Sequence, residues 1–108
     1  MANTFKLKTK ANVGVTTSNV YAVPSATTTV VIGVTLANTS GSSITVGVGV
    51  TRASSDDVKL MKNVPIPQGS SFEFMAGNKV VLETTDTLTV ESDVNNSLDV
   101  ALTIMEIT

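Results

Sequence analysis

The sequence predicts an all-β fold: a single antiparallel β-sandwich of about eight strands, of jelly-roll or immunoglobulin-like type. Three observations indicate this fold. In run after run, apolar residues alternate with polar or small residues, which is the period of a strand with one buried face. Clusters of Gly, Pro, Asn, Asp and Ser separate these runs at intervals of about 8 to 12 residues. No stretch repeats its apolar residues with the helical period of about 3.6.

The N-terminal residues 4–10 alternate strictly, with Phe5 and Leu7 on one side of a strand and lysines on the other. Residues 1–10 are therefore predicted to form an N-terminal arm or an edge strand, because lysines along an edge discourage unwanted strand pairing. The side that carries Phe5 is predicted to face the core. The candidate assembly contacts in this segment are Phe5, Lys6, Lys8 and Lys10. The alternative is a solvated strand face without a partner.

A short strand at residues 19–23 ends at a proline, and the longest alternating stretch, residues 27–52, follows it. We interpret this stretch as one β-hairpin around which the other strands are organised, because its link at residues 38–43 is rich in Asn, Ser and Gly. The predicted core positions are Val30, Ile32, Val34 and Leu36 in the first arm and Ile44, Val46, Val48 and Val50 in the second. On the outward side of the second arm, Gly47 and Gly49 are candidate assembly contacts that would allow a neighbouring chain or sheet to approach closely.

The second half of the chain continues in short strands separated by turns. The predicted strands are residues 58–64, 71–75, 79–83, 88–91 and 98–108. The residues predicted to face the core are Phe72, Phe74, Val80, Leu82, Leu88, Val90, Leu98, Val100, Leu102 and Ile104. Turns are expected at residues 53–57, at the proline-containing residues 65–69, and at Gly77 and Asn78. No linker or shift in composition marks a boundary, so residues 1–108 are predicted to form one domain.

Two residue types that carry much of the chemistry of enzymes and metal sites are missing. The sequence has no His and no Cys, which removes the commonest general base and the usual metal ligands. Only 15% of its residues are charged, against roughly 25% in an average protein, which suits a chain that packs against copies of itself or a host lattice. The alternative is that the low charge reflects only the Thr- and Ser-rich surface common in small β-sandwiches. The adjacent Asp56 and Asp57 lie in a Ser-rich turn, and residues 91–96 lack the spacing of a calcium loop. We therefore expect no enzymatic activity, no cofactor, no metal, and no binding to nucleic acid or membranes.

A groove for a small ligand has few candidate residues, because the sequence contains no Trp and a single Tyr. Tyr21, Asn95 and Asn96 are weak ligand candidates for a polar groove that would bind a glycan or a host receptor. The beginning of the sequence lacks the apolar segment of a secretory signal, and no run of about 20 apolar residues follows it. We therefore expect the protein to stay in the cytoplasm in which it is made or to leave by cell lysis.

Four segments of the sequence resemble segments that occur together, and in the same order, in a known group of proteins. They are MANTFKLKTKANVG, YAVPSATTTVVIGVTLANTSGSSITVGVGVTR, KNVPIPQGSSFEFMAGNKVVLETTDTLTVES and SLDVALTIMEIT. With them the chain resembles small virion structural proteins of tailed bacteriophages, notably marine and cyanobacterial phages. The resemblance implies a small β-sandwich without catalytic residues, displayed in many symmetric copies on the particle. It implies first a capsid decoration (cement) protein and, as the alternative in the same class, a neck, tail or fibre-adaptor component.

The partners and the location follow from the same resemblance. It implies a homo-oligomer, a trimer or another cyclic assembly, that contacts the major capsid protein or the neck and tail proteins. Such a protein is made in the host bacterial cytoplasm and is located in the virion. A host-receptor or glycan-binding module on the particle surface is the alternative from a different class of function.

Overall fold

The computed structural model describes residues 2–53, 56–74 and 80–108, which form nine strands and no helix. The strands are β1 (Asn3–Val13), β2 (Ser18–Ala22), β3 (Thr28–Asn38), β4 (Ile44–Thr51), β5 (Val58–Ile66), β6 (Ser71–Phe74), β7 (Val80–Leu82), β8 (Thr87–Ser92) and β9 (Leu98–Ile107). Every strand predicted from the alternation is present, with ends that differ by a few residues. Among the described residues, no helix could cross a membrane.

The strands form two antiparallel sheets that pack together as the predicted sandwich. The first sheet has the order β1-β9-β3-β6, with β7 also paired to β3, and the second has the order β2-β8-β4-β5. The first four strands alternate between the two sheets, and each of them pairs with a later strand. This is the topology of a jelly roll, so it decides between the two types of sandwich that the sequence left open.

The prediction that residues 27–52 form a hairpin is wrong. β3 lies in the first sheet and β4 in the second, and the two strands do not pair with each other. Their link is a corner between the sheets, organised by the buried side chain of Asn38. The amide of Asn38 donates hydrogen bonds to the carbonyls of Ser42 at 2.8 Å and Ile66 at 3.0 Å, and its oxygen accepts one from the N–H of Ser40 at 2.9 Å. A corner of this kind uses the same Asn, Ser and Gly residues as a hairpin turn.

A β-bulge in β3 changes which residues face the core. Val31 lies opposite Ile104 and Gly33 lies opposite Thr103, so Ile32 is an extra residue in the ladder. The extra residue reverses the alternation on its N-terminal side. The core prediction is therefore confirmed for Val34 and Leu36, which are buried. It is wrong for Val30 and Ile32, which are half-buried, whereas Val31 is buried in their place.

The core lies between the sheets and consists of aliphatic side chains from both of them. Buried as predicted are Ile44, Val46, Val48, Val50, Leu82, Leu88, Val90, Leu98, Val100, Leu102 and Ile104. The prediction that Phe5 faces the core is wrong, because its side chain is 69% exposed. Phe72 is 38% exposed on β6, so it only partly joins the core. The side chain of Phe74 and the turn expected at Gly77 and Asn78 lie outside the described residues.

The predicted corner at residues 65–69 is shorter than expected. β5 continues through Pro65 to Ile66, and as an edge strand it tolerates a residue without an N–H donor. Gly69 follows with a φ of 70°, which is the left-handed conformation that the turn requires and that glycine adopts at little cost.

Candidate assembly surface

The outward side of the first sheet carries a line of exposed apolar side chains. Phe5 lies opposite Met105 in the β1–β9 ladder, and Val30 lies opposite both Met105 and Val81. Residues directly opposite each other in antiparallel strands point to the same face, so the four side chains form one row across β1, β9, β3 and β7. Phe5 is 69% and Val81 is 57% exposed, and the two between them are half-buried. We call these four residues the bulky row.

The whole outward side of β1, β9 and β3 is here called the outer face. Apart from the bulky row and Leu7, which is 63% exposed, it carries mainly small side chains and few charges. Two lines run parallel to the bulky row: a middle row of Leu7, Thr103 and Gly33, and a small row of Thr9, Ala101 and Thr35. Among the described residues that these three strands turn outward, Asp99 is the single ionisable one, and its carboxylate accepts the N–H of Asn12 at 3.0 Å. An exposed apolar patch without charges marks a surface for interaction.

The lysines of β1 point to the other side of the sheet, because Lys6 lies opposite the buried Ile104 in the ladder. The Nζ of Lys6 is 2.8 Å from Oε1 of the buried Glu106. The Nζ of Lys8 is 5.9 Å from the centre of the Tyr21 ring, and Lys10 is exposed. Two of the three lysines predicted as assembly contacts therefore contact groups of their own chain. This arrangement also explains why Phe5 faces outward.

Tyr21 is an internal anchor and not part of an open groove. It is 5% exposed, its Oη lies 2.8 Å from Oγ1 of Thr29, and it donates to Oε2 of Glu106 at 2.5 Å. Burial, together with the bond to Glu106, raises the pKa of Tyr21 to about 12. The hydrogen bond from Lys6, followed by the one from Tyr21, lowers the pKa of Glu106. The hydroxyl is thus occupied inside the fold, and the expectation that it lines a ligand groove is wrong.

The structure does not bring the three ligand candidates together. Asn95 and Asn96 are exposed in the loop between β8 and β9. The side-chain oxygen of Asn95 accepts the N–H of Val15 at 3.4 Å, and Asn96 has a φ of 52°. Glu106, the partner of Tyr21, lies at the opposite end of β9, about 30 Å away at roughly 3.3 Å per residue. The two asparagines therefore shape a turn.

Gly47 and Gly49 lie beneath an ion pair on the outward side of the second sheet. Lys59 on β5 and Glu91 on β8 flank β4, and their Nζ and Oε1 atoms are 2.9 Å apart. The hydrogen bond from Lys59 lowers the pKa of Glu91. Both glycines are buried next to these side chains. The space that was expected to admit a neighbouring chain is filled by the chain's own side chains, so neither glycine offers an open contact.

Replacing Gly49 by Ala should lower the free energy of unfolding by about 1 to 3 kcal/mol. A Cβ atom there would lie 3.0 Å from the carbonyl oxygen of Val58, which is backbone, and 3.2 Å from Cδ of Lys59. Gly33→Ala is the matched control, because a Cβ at that position meets nothing within 4 Å and should change stability by no more than about 0.5 kcal/mol. Urea unfolding followed by circular dichroism measures both. Equal losses in the two variants would contradict the proposed packing of β4 against β5.

Two of the carboxylates that the sequence singled out, Asp57 and Asp93, hold turns. Oδ1 of Asp57 accepts the N–H of Arg52 at 2.8 Å, and Oδ1 of Asp93 accepts the N–H of Thr45 at 2.9 Å. In the part of the chain that the structure describes, no group of three or more His, Cys, Asp or Glu residues is placed to hold a metal ion. The contacts of Asp57 and Asp93 are those of side chains that hold a loop against a strand.

One polar cluster was missed by sequence reasoning. Nε of Arg52 donates to Oδ1 of the buried Asp86 at 3.1 Å, and Nη2 donates to Oε1 of Glu83 at 2.5 Å. Asp86 also accepts the N–H of Glu83 at 2.9 Å, and its bond to Arg52 is the main reason that the pKa of Arg52 is raised. The cluster ties the end of β4 to the turn before β8. Because the guanidinium of Arg52 already forms ion pairs with both carboxylates, the cluster offers no free cation to a ligand.

Comparisons with known proteins show the fold and no family. No protein-family model matches the chain, and no curated protein matches it. Among solved structures, the chain is similar to one described as "Bacillus endospore appendages form a novel family of disulfide-linked pili". The TM-score is 0.59 and the identity 13%, and the match covers 99% of this chain and 87% of that chain. At this identity the likeness shows the sandwich fold alone.

Proposed function

We propose that the chain is a structural subunit that acts in many copies, as a capsid decoration (cement) protein of a tailed-phage virion. The observation that carries the proposal is the bulky row, an exposed apolar line on an outer face that has one ionisable side chain. Exposing apolar surface to water is unfavourable in free energy, so burying the bulky row against another protein is favourable. The resemblance to phage virion proteins supports the choice of particle.

The size of the bulky row suits a role that relies on many weak contacts. Burying about 300 Å² of apolar surface contributes about 7.5 kcal/mol at roughly 25 cal/mol per Å². Association itself costs on the order of 4 to 15 kcal/mol, so a single contact of this size is weak. On a capsid each subunit meets several neighbours at once, and the linked contacts add avidity. The subunit is therefore expected to bind the assembled shell far more tightly than an isolated capsid protein.

Particles that lack the subunit should release their DNA at a lower temperature than complete particles, because the contacts that bridge neighbouring capsid proteins are gone. Fluorescence of a DNA-binding dye during heating measures the release. Purified subunit added back should restore the resistance. Val58→Lys is the matched control and should also restore it, since Val58 is 48% exposed on the second sheet, whereas Phe5→Lys should not. Depleted particles as resistant as complete ones would contradict the cement role.

The number of copies per particle separates the shell from the neck and tail. Quantitative mass spectrometry of purified particles measures it. Hundreds of copies agree with a decoration protein, because the shell repeats its subunit many times. About a dozen copies or fewer would instead assign the chain to a neck, tail or fibre-adaptor ring of cyclic symmetry.

A filament subunit is the second candidate, and the similarity to the pilus protein favours it. Those pili are described as disulfide-linked. This chain contains no Cys, so a filament made of it would be held together without disulfides. Electron microscopy of the purified protein with and without a reducing agent tests this candidate. Filaments that persist under reduction would favour it, and dispersed protein that binds only to capsids would favour the virion.

A further inference from the structure

We infer that the outer face docks onto the same face of a second copy of this chain, as a dimer with two-fold symmetry. The inference rests on the proposed structural role, within which it assigns the bulky row to the contact between two copies and leaves the contacts with the capsid to the rest of the surface. It is carried by the order of the three rows on that face, by the polarity of the rest of the molecule, and by the area available.

The outer face is bulky at one end and hollow at the other. The bulky row crosses β1, β9 and β3 with Phe5, Met105 and Val30. The small row crosses the same three strands in the same order, and there the surface forms a shallow groove of about 260 Å³. The groove is lined by Thr9, Lys10, Ala11, Thr35, Ala37, Asp99, Val100 and Ala101. A protrusion and a hollow of similar width therefore lie side by side on one face.

A two-fold axis along the middle row makes this face complementary to itself. The middle row of Leu7, Thr103 and Gly33 lies halfway between the other two rows in the strand registers. Rotation about that line turns the strands of the second copy end over end. It places Phe5 over Thr9 of the second copy, Met105 over Ala101 and Val30 over Thr35. Each of these three bulky side chains then meets a smaller one, and the contact is reciprocal, as an isologous interface requires. At the edge of the face, Val81 lies near Glu73 of the second copy, because Glu73 on β6 lies opposite Thr35.

The polarity of the molecule favours this face over the other as the partner surface. The outward side of the second sheet carries the Lys59–Glu91 ion pair and the hydroxyls of Thr45 and Thr89. Covering the ion pair with the ring of Phe5 would remove water from two charges without new hydrogen bonds, which is unfavourable. The outer face of a second copy carries fewer charges. Asp99 lies beyond the small row at one end of the face, and Glu73 lies at its β6 edge, so both carboxylates can remain at the rim.

The area of the outer face sets the expected strength of the dimer. β1 and β3 each have 11 residues. At roughly 3.3 Å per residue and about 4.8 Å per strand, the three strands measure about 36 by 14 Å, or about 500 Å². The pair would bury on the order of 1,000 Å², which is about the minimum for a specific interface. The dimer is therefore expected to dissociate in the micromolar range.

Sedimentation of the full chain from about 1 μM to about 1 mM tests whether the dimer exists. The unmodified chain should convert from monomer to dimer over this range. Phe5→Lys should raise the dissociation constant about tenfold or more, because it places a charge over the small row. Val58→Lys, the same kind of change on the second sheet, should leave the constant unchanged. A chain that stays monomeric throughout, or a dimer that is equally sensitive to both variants, would overturn the inference.

Engineered cysteines test the symmetry, since the chain has none of its own. Met105→Cys and Ala101→Cys subunits should form a disulfide-linked dimer when they are mixed and oxidised, and neither should do so alone. An axis parallel to the strands would instead let Met105→Cys cross-link with itself, which would overturn the proposed register. Phe5→Lys in both subunits should abolish the cross-link of the mixture, whereas persistence of the cross-link would speak against the face.

These results are separable from the proposed function. A monomer that still restores heat resistance to depleted particles would overturn the dimer and leave the cement role in place. A dimer with the cross-link described above, found for a protein that is absent from particles, would support the inference and overturn the cement role.

Discussion

Val48→Asp should abolish folding, whereas Ile32→Asp should give a folded protein. Val48 is fully buried in β4, opposite Val90 on one side and Met61 on the other. In the described structure no cation lies among these apolar neighbours to pair with a carboxylate. An unpaired carboxylate in such a place costs several kcal/mol or more. A domain of this size has a total stability of roughly 5 to 15 kcal/mol, so the cost is comparable with the whole of it.

Ile32→Asp is the matched control, because the side chain and the change are of the same kind. Ile32 is the extra residue of the β3 bulge and is half-buried, so its carboxylate can reach water. The yield of soluble protein and the thermal transition followed by circular dichroism measure the outcome for both variants. Cooperative unfolding of Val48→Asp would show that the core face of β4 is assigned incorrectly. Loss of folding in Ile32→Asp would show that the bulge lies elsewhere.

The strands could be predicted because alternation is a local property of the sequence. In β9 the inward residues from Leu98 to Ile104 follow one another at every second position without interruption, and the structure buries all of them. Turns such as the one at Gly69 can be predicted for the same reason. Gly69 adopts a left-handed backbone conformation that few other residues adopt, so the residue type itself indicates the turn. The all-β class and most of the core follow from these local signals.

The pairing of the strands could not be predicted, because it is decided between residues that are distant in the sequence. A hairpin and a jelly-roll corner both need an apolar stripe on β3 and on β4, and both need turn residues between them. What separates the two is the partner of β3, seen for example where Asn38 lies opposite Leu98. The bulge at Ile32 could not be predicted for the same reason, because a bulge is defined by the register of β3 against its partner strand β9.

The candidate surface could be predicted only in part from the sequence. The alternation in β1 correctly predicts its two faces, but by itself it predicts that the apolar face lies in the core. A signal for the opposite assignment exists at Glu106, which occupies the next inward position after Ile104 on β9. A carboxylate at a core position needs a cation or hydrogen-bond donors, and Lys6 on the neighbouring strand is such a cation. Turning the lysines inward places Phe5 outward, on the row proposed for assembly.

Tyr21→Phe should lower the free energy of unfolding by about 1 to 3 kcal/mol at neutral pH. The hydroxyl donates to Oε2 of Glu106 and also contacts Oγ1 of Thr29, and Glu106 is 5% exposed. Without it, the buried carboxylate loses one of its donors while the packing of the ring is retained. Unfolding in urea, followed by circular dichroism, measures the loss. Thr103→Val removes an exposed hydroxyl on the outer face and is the control, with an expected change within about 0.5 kcal/mol.

The loss of unfolding free energy caused by Tyr21→Phe should be larger at neutral pH than at acidic pH. Lys6 and Tyr21 hold the pKa of Glu106 below its ordinary value of 4.5. A lowered pKa in the folded state adds stability above that ordinary value, and the stability is lost as the pH falls through the folded-state pKa. In Tyr21→Phe the pKa of Glu106 moves back toward the ordinary value. The difference between the two proteins should therefore be full at neutral pH and should shrink below 4.5.

Glu106→Gln isolates the charge from the hydrogen bond. In that background Tyr21→Phe should cost the same at neutral pH and at about pH 3, because no carboxylate titrates at the site. An ultraviolet titration reports on the hydroxyl directly, since Tyr21 is the only tyrosine and the chain has no Trp. Its pKa should lie near 12 in the folded protein, above the ordinary value of 10.0, and Glu106→Gln should bring it down. A tyrosine that ionises at its ordinary value would place the hydroxyl in water and remove the physical basis for turning the lysines of β1 inward.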